Sequence, residues 1–400
     1  MTNSWDAIVV GARCAGAPTA LLLAQKGYRV LAVDSAKFPS DTLSTHLLHP
    51  PAVAALERFG VLERLKATGC PPIEKYSYDF GPFTIAAPPG KPGQVAYCPR
   101  RTVLDNLLVD VAAAAGAEVR ESFSVDELVV RDGIVTGIRG HASGKNVIES
   151  ARVVIGADGR HSLVARSVHP EQYREQPAVQ VSYYSYFSNL ATEGFATYVR
   201  PYRAWAVMPT HDGLTLVICG RPIAEFDEYR GDIERKFFEA FELAPAFAER
   251  IKSAKREARF AGTSVSGYFR KPFGPGWALV GDAGYNKDFI TAMGISDAFR
   301  DAELCTAALD EVFSGRRPFD SALLAYQRAR DEQSLPMYEF TNQFAPLAPP
   351  PPEMEQLLAA IHASPRASAG FVQVTAGVRS PAEFFSEANV RSIFDERRAS

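Results

Sequence analysis

The sequence predicts a two-domain α/β protein, in which a discontinuous domain of parallel strands and helices is interrupted by an antiparallel β-sheet domain. Three observations predict it. Near the start, the apolar strand Asp6-Ala-Ile-Val-Val runs into the turn Gly11-Ala-Arg13-Cys14-Ala15-Gly16 and at once into helical sequence. Near the end, Trp277-Ala-Leu-Val runs into a second glycine turn, Gly281-Asp282-Ala283. Between them, residues 171–269 carry short β-rich runs parted by Gly, Pro or Asp-Gly, as an antiparallel sheet requires.

The first turn has the physics of an adenine-dinucleotide half-site. Its backbone N–H groups and the positive end of the helix from Gly16 can hold a pyrophosphate. A second strand, Arg29-Val30-Leu-Ala-Val33, then ends in Asp34-Ser35, near the offset of roughly 20 residues at which a carboxylate accepts from ribose hydroxyls. Arg13 stands where such turns usually have their second glycine. Its guanidinium either folds over the phosphates or points to solvent while the backbone binds.

Helices are expected at Pro51–Phe59, Val61–Ala67 and Thr102–Ala115, the last from leucines at 104, 107 and 108. Asp132-Gly133 between two alternating runs predicts a hairpin. Strands follow at Val179–Phe187, Gly194–Val199, Arg203–Met208 and Leu214–Cys219, then helices at Ile233–Phe241, Pro245–Ser253, Ile295–Phe313 and Asp320–Gln333. The expected boundaries are 1–75, 95–170 and 270–340 for the discontinuous domain and 76–94 with 171–269 for the sheet domain. Residues 341–400 form a proline-broken tail with one helix, Glu353–His362.

Composition narrows the function classes. A net charge of −3 and a pI near 6.2 oppose electrostatic attraction to nucleic acid or anionic membrane. No apolar run spans a membrane and the N-terminus lacks a leader pattern, so a cytoplasmic protein without stable membrane insertion is expected. The five cysteines are odd in number, with no Cys-x-x-Cys pair, which predicts reduced thiols and no metal site.

Three blocks together resemble the FAD-dependent oxidoreductases of the group A flavoprotein monooxygenase (aromatic hydroxylase-like) family: Gly11 to Asp34, Val153-Val-Ile-Gly156-Ala-Asp158-Gly159-Arg-His-Ser162, and Gly281 through Gly294 to Asp301. Arg101-Thr-Val-Leu104-Asp105 lies between them in the family's order. The resemblance spans roughly residues 5–335. It implies a glutathione-reductase-like FAD-binding domain over a β-sheet substrate domain, with Asp282 at the ribityl chain and Arg101 at the pyrophosphate or ribityl hydroxyls. Asp158 would sit near both FAD and a transient NAD(P)H donor, and Gly294-Ile295 would open a helix facing the flavin. The implied reaction is monooxygenation through a flavin C4a-hydroperoxide. Relatives of the same fold leave a reductase of isoprenoid double bonds and a flavin halogenase as alternatives. The halogenase is disfavoured because Tyr202-Arg-Ala-Trp205-Ala-Val-Met208-Pro209 has no Trp-x-Trp-x-Ile-Pro. A non-catalytic carrier of the Rab dissociation inhibitor kind is opposed by intact Asp34 and Gly281-Asp282.

Other side chains have both a chemical and a plain reading. His46, in the loop Asp41-Thr-Leu-Ser44-Thr45-His46, can donate to the flavin or shuttle a proton, or merely satisfy the loop backbone. Tyr184, Tyr186, Trp205, Met208 and Pro209 are expected to roof a pocket for a small apolar substrate, although alternation along a strand sends half such residues into a core. Phe289 replaces the proline usual in the family, and is expected either to narrow the site or stack on an aromatic substrate, or simply to pack into the core. Oligomeric state stays open.

Overall fold

The structure, a computed structural model, describes residues 4–399. Its first sheet is centred on the strand Trp5–Val10, flanked in parallel by Lys145–Gly156 and Val30–Val33. Glu118–Arg120 and Trp277–Leu279 extend it, also in parallel, and Phe273–Gly274 closes one edge antiparallel. Blocks from the start, middle and end of the chain therefore meet in one sheet. Helices Gly16–Gln25, Arg101–Ala114 and Gly294–Phe313 share a core on one face. On the other face Ile8, Val10, Leu31 and Val33 pack with Phe123, Val135, Ile138 and Val164, and this double coverage explains why Ala7 to Val10 and Val30 to Val33 read as unbroken apolar runs.

Close packing fixes the first turn. Gly11 adopts φ +94°, and a Cβ on Gly16 would lie 1.7 Å from the Gly11 carbonyl oxygen, so helix and turn touch where only glycine fits. The Asp132-Gly133 hairpin is present, both residues having positive φ (50° and 78°), between Phe123–Arg131 and Ile134–Ala142. The first half of Lys145–Gly156 adds a third antiparallel strand to it.

The second sheet holds Gln180–Ser188, Thr215–Pro222, Arg203–Pro209 and Phe195–Arg200 in antiparallel order. It continues through Tyr76–Asp79 and Thr84–Ala87, and the pairing of Phe195–Arg200 with Tyr76–Asp79 is parallel, so the sheet is mixed rather than purely antiparallel. Strand alternation divides its residues between two cores. Val181, Tyr183, Trp205, Val207, Val217 and Cys219 face a core closed by Phe237, Phe241 and Phe247 from the helical region that follows. Tyr184, Tyr186, Met208 and Leu216 face the opposite side.

Two expectations are corrected here. The helix expected to stop at Gln333 runs Phe319–Phe344 through Pro336. Residues 341–400 are not a tail with one helix: Pro352–Ala363, Pro365–Thr375, Pro381–Phe384 and Glu387–Ala399 are all helical. A proline opens each of the first three, a position where its missing N–H costs nothing, and Ser364 caps the second.

Trp205 is fully buried, stacked on Tyr198 at 5.0 Å and 7°. We expect Trp205→Ala to cost about 3–5 kcal/mol in urea unfolding, while flavin binding by the folded variant stays unchanged.

Candidate functional site

Between the two sheets lies a cavity of about 770 Å³. At one end it is walled by the turn Gly11, Arg13, Cys14, Ala15 and by Asp34 and Ser35; in the middle by Arg101, Asp158 and Asp282; at the other end by Gly294, Ile295, Tyr184 and Phe289. Two helix N-termini, at Gly16 and Gly294, thus have their starts at the cavity wall, bringing oriented N–H groups and positive dipole ends. A Cβ on Gly294 would meet no protein atom within 4 Å, so that backbone opens onto the cavity itself.

Asp34 ties the first turn to the segment after the second strand: its Oδ2 accepts from Ala12 N and its Oδ1 from Ala36 N, each at 2.8 Å. Asp105, fully buried, accepts from Arg101 Nε and Nη2 at 3.0 Å and from Arg13 Nη1 at 2.8 Å, and Cys14 Sγ lies 3.3 Å away. The sequence reading missed Asp105, although it stands four residues after Arg101 on a predicted helix, the spacing of an ion pair. Asp282 is enclosed by protein yet accessible, because its side chain opens onto the cavity. Burial pushes its carboxyl up to about 6; the Asp297 charge adds to this, and Lys287 and Arg101 oppose it. Lys287, likewise missed, also lines the cavity; its Nζ bonds to the Asp297 carboxylate and, at 3.2 Å, to Tyr285 Oη.

Several expected residues stand elsewhere. Gly16 is absent from the wall and acts through its contact with Gly11. The Asp158 carboxylate accepts from Leu163 N at 2.6 Å and Val164 N at 3.3 Å, so it caps the helix Leu163–Val168 while its turn borders the cavity. Arg13 does not point free into solvent; it is held by Asp105 and by Ser40. Trp205 faces the other core, Met208 is covered within the core it shares with Leu216, and Pro209 sits at a strand end paired with Thr215. None of the three lines the cavity. Tyr186 is buried beneath it, 2.9 Å from His46 Nε2. Burial holds the His46 imidazole down at about 3, with Arg101 adding to the shift, so it is neutral at physiological pH and does not titrate as a shuttle there. Asp288 is the side chain on this wall whose carboxyl is pushed by burial to about 7; its Oδ1 accepts from Gln180 Nε2 at 2.6 Å and Ile290 N at 2.9 Å. Tyr184, Phe289 and Ile295 do line the cavity.

The wall chemistry fits FAD: helix starts able to bind anions, the carboxylates of Asp34 and Asp282 able to accept from sugar hydroxyls, and a glycine backbone at Gly294 bare toward the cavity. All five cysteines are unpaired and buried, and among the described residues no cluster of His, Cys, Asp or Glu could hold a metal. No helix of the described residues is long and apolar enough to cross a membrane.

This site on this fold is that of a FAD-dependent oxidoreductase. The chain belongs to the FAD binding domain family, which it matches over residues 4–341. It is 28% identical over 337 residues to the digeranylgeranylglycerophospholipid reductase of Methanosarcina acetivorans, covering 78% of this chain and 77% of that one. The flavin-dependent brominase Bmp2 superposes with a TM-score of 0.84 at 17% identity, over 99% of this chain and 100% of its own. PqsL of P. aeruginosa, in complex with 2-aminobenzoylacetate, gives 0.73 at 20% identity over 92% and 99%.

Asp282 generates a pH prediction. Its folded pKa is raised, so from this group the ligand-free fold loses stability as pH rises through about 4 to 6. Hydroxyl donors on FAD favour the ionised carboxylate, so FAD affinity should instead rise over pH 5 to 7. Flavin titrations across that range should show the slope, and Asp282→Asn should flatten it.

Proposed function

We propose that the protein is a FAD-dependent monooxygenase that takes electrons from NAD(P)H and inserts one oxygen atom from dioxygen into a small apolar or aromatic substrate. The observation that carries this reading is the far end of the cavity, where Tyr184, Ile218 and Phe289 form an apolar wall relieved by Ser182 and Thr263. FAD, when bound, supplies the electron transfer and the oxygen activation. The protein's share is to bind, orient and exclude water. Arg101 and the Gly16 helix start suit the pyrophosphate, Asp34 and Asp282 suit the sugar hydroxyls, and the Gly294 helix start offers its dipole to negative charge. Proton exchange near neutrality falls to Asp288 rather than His46, since only the former has its pKa there.

A second reading, reduction of an isoprenoid double bond, is favoured by the M. acetivorans relative. Against it, the apolar wall of Tyr184, Ile218 and Phe289 is relieved by Ser182 and Thr263, which suits a ring system carrying a polar group better than a polyprenyl chain.

Reduction of the holoprotein by NADH or NADPH, then exposure to labelled dioxygen with aromatic and polyketide-like compounds, should give product carrying one labelled oxygen. Anaerobic formation of a saturated product would establish the reductase instead. Phe289→Ala should change FAD affinity by less than about threefold yet raise hydrogen peroxide formed per donor oxidised, because the wall beside the ring is opened to water. Unchanged coupling in a folded variant would remove Phe289 from the site.

A further inference from the structure

The segment between the strand Val30–Val33 and the bridge at Leu48 contains no helix or strand, yet Thr42, Leu43, Ser44 and Thr45 line the cavity. Leu43 is at the same time 39% exposed, so this segment is both a wall and part of the rim. Without a ladder of backbone hydrogen bonds, its position has to be set by side chains from outside. Arg13 supplies such a tie. Its Nη1 donates to Ser40 O at 3.2 Å, its Nη2 donates to Ser40 Oγ at 2.9 Å, and the guanidinium lies 5.3 Å from the Phe38 ring centroid. The same Nη1 donates to Asp105 Oδ2, and Asp105 is clamped in turn by Arg101. A planar fork reaches all these partners at once; a lysine ammonium cannot.

We propose that Arg13 is a positioning residue that pins the Ser40–Thr45 segment to the buried Asp105 carboxylate, and thereby governs the access of small solutes to the flavin, rather than being a ligand of the pyrophosphate. Three of the guanidinium's five N–H groups are already directed at Ser40 and Asp105, and phosphate binding is left to the turn's N–H groups and the Gly16 helix start. The residue that breaks the glycine pattern therefore serves the cavity wall. Because FAD loading is independent of which reaction the enzyme performs, failure of this inference is distinguishable from failure of the monooxygenase reading.

The test uses full-length holoprotein with Arg13→Ala, Arg13→Lys and Ser40→Ala, the last removing one contact without touching the dinucleotide turn. Three quantities are read: FAD affinity by titration of apoprotein, collisional quenching of bound-flavin fluorescence by acrylamide, and the rate of thermolysin cleavage in residues 37–46. Expected is FAD affinity within about threefold of the parent, with quenching and cleavage raised in Arg13→Ala and, to a lesser extent, in Ser40→Ala. Arg13→Lys should fall between parent and Arg13→Ala, since it can keep the Asp105 contact but not the fork. A loss of FAD affinity of about tenfold or more, with quenching of the FAD-saturated protein unchanged, would make Arg13 a phosphate ligand and overturn the proposal. Parental behaviour in all three readouts would overturn it equally. If Arg13→Ala does not fold, Ser40→Ala decides alone, by the same two outcomes.

Discussion

The carboxylate of Asp105 is the interaction on which the site depends. It is fully buried on the helix Arg101–Ala114 and is shared by two guanidinium groups from different parts of the chain. A carboxylate in that position would be costly alone, and breaking such a buried pair typically costs about 3–5 kcal/mol because the remaining charge is left uncompensated. With both arginines in place it does two things. It fixes the planar Arg101 at the cavity wall, and it holds Arg13 where its guanidinium also reaches Ser40. The carboxylate of Asp282, on the facing wall, is of the opposite sign and interacts with Arg101 across the space.

A second group of charges lies at the other end. Asp297, in the first turn of the helix Gly294–Phe313, receives Lys287 and Arg300, and Arg300 also reaches Asp301. An acid in the first turn of a helix is favoured by the dipole. Pairing it with two cations keeps the helix start itself free to act on whatever fills the cavity. Lys287, buried and facing that cavity, has its pKa lowered by burial and held up by Asp297.

The fold was legible where local pattern and global packing agree. The turn at Gly11, the acid at Asp34, the Asp132-Gly133 hairpin and the strands of the second sheet each carry a steric or periodic signature that survives without knowledge of their neighbours. The mixed character of the second sheet was not legible, since nothing local tells whether Phe195–Arg200 meets its neighbour parallel or antiparallel. In the site, the residues read from the glycine turns do reach the cavity, apart from Gly16 and Gly281, the latter packed against Ala15 and Ala298. Residues read from aromatic content divided instead. Tyr184 and Trp205 look alike in sequence, but the register between their strands sends one to the cavity side and the other beneath Phe247. His46 looked titratable because histidine is so in water; three-dimensional burial, invisible in the chain, makes it a neutral partner of Tyr186. Asp288 is the converse case, an ordinary acid in sequence whose burial moves it to neutrality.

The C-terminal helices show how far the cavity's shape depends on sequence remote from its motifs. Their side chains, Leu357, Leu358, Phe371 and Val372 among them, enter the same core as Tyr184, Ala292 and Met293. Phe371 meets Tyr78 edge-on at 5.5 Å, and His362 Nδ1 lies 2.9 Å from Thr84 O on the edge strand. A sheet edge that would otherwise present unpaired backbone is thereby covered. Gly377, with φ +68°, packs so closely that a Cβ there would come within 2.5 Å of the Met293 methyl, and Met293 immediately precedes Gly294. The helix start that faces the cavity is thus braced from behind by a segment with no glycine motif of its own. With the Tyr184 face of the sheet filled by this layer, the apolar end of the cavity is closed there, and the segment held by Arg13 is a part of the wall that also forms its rim.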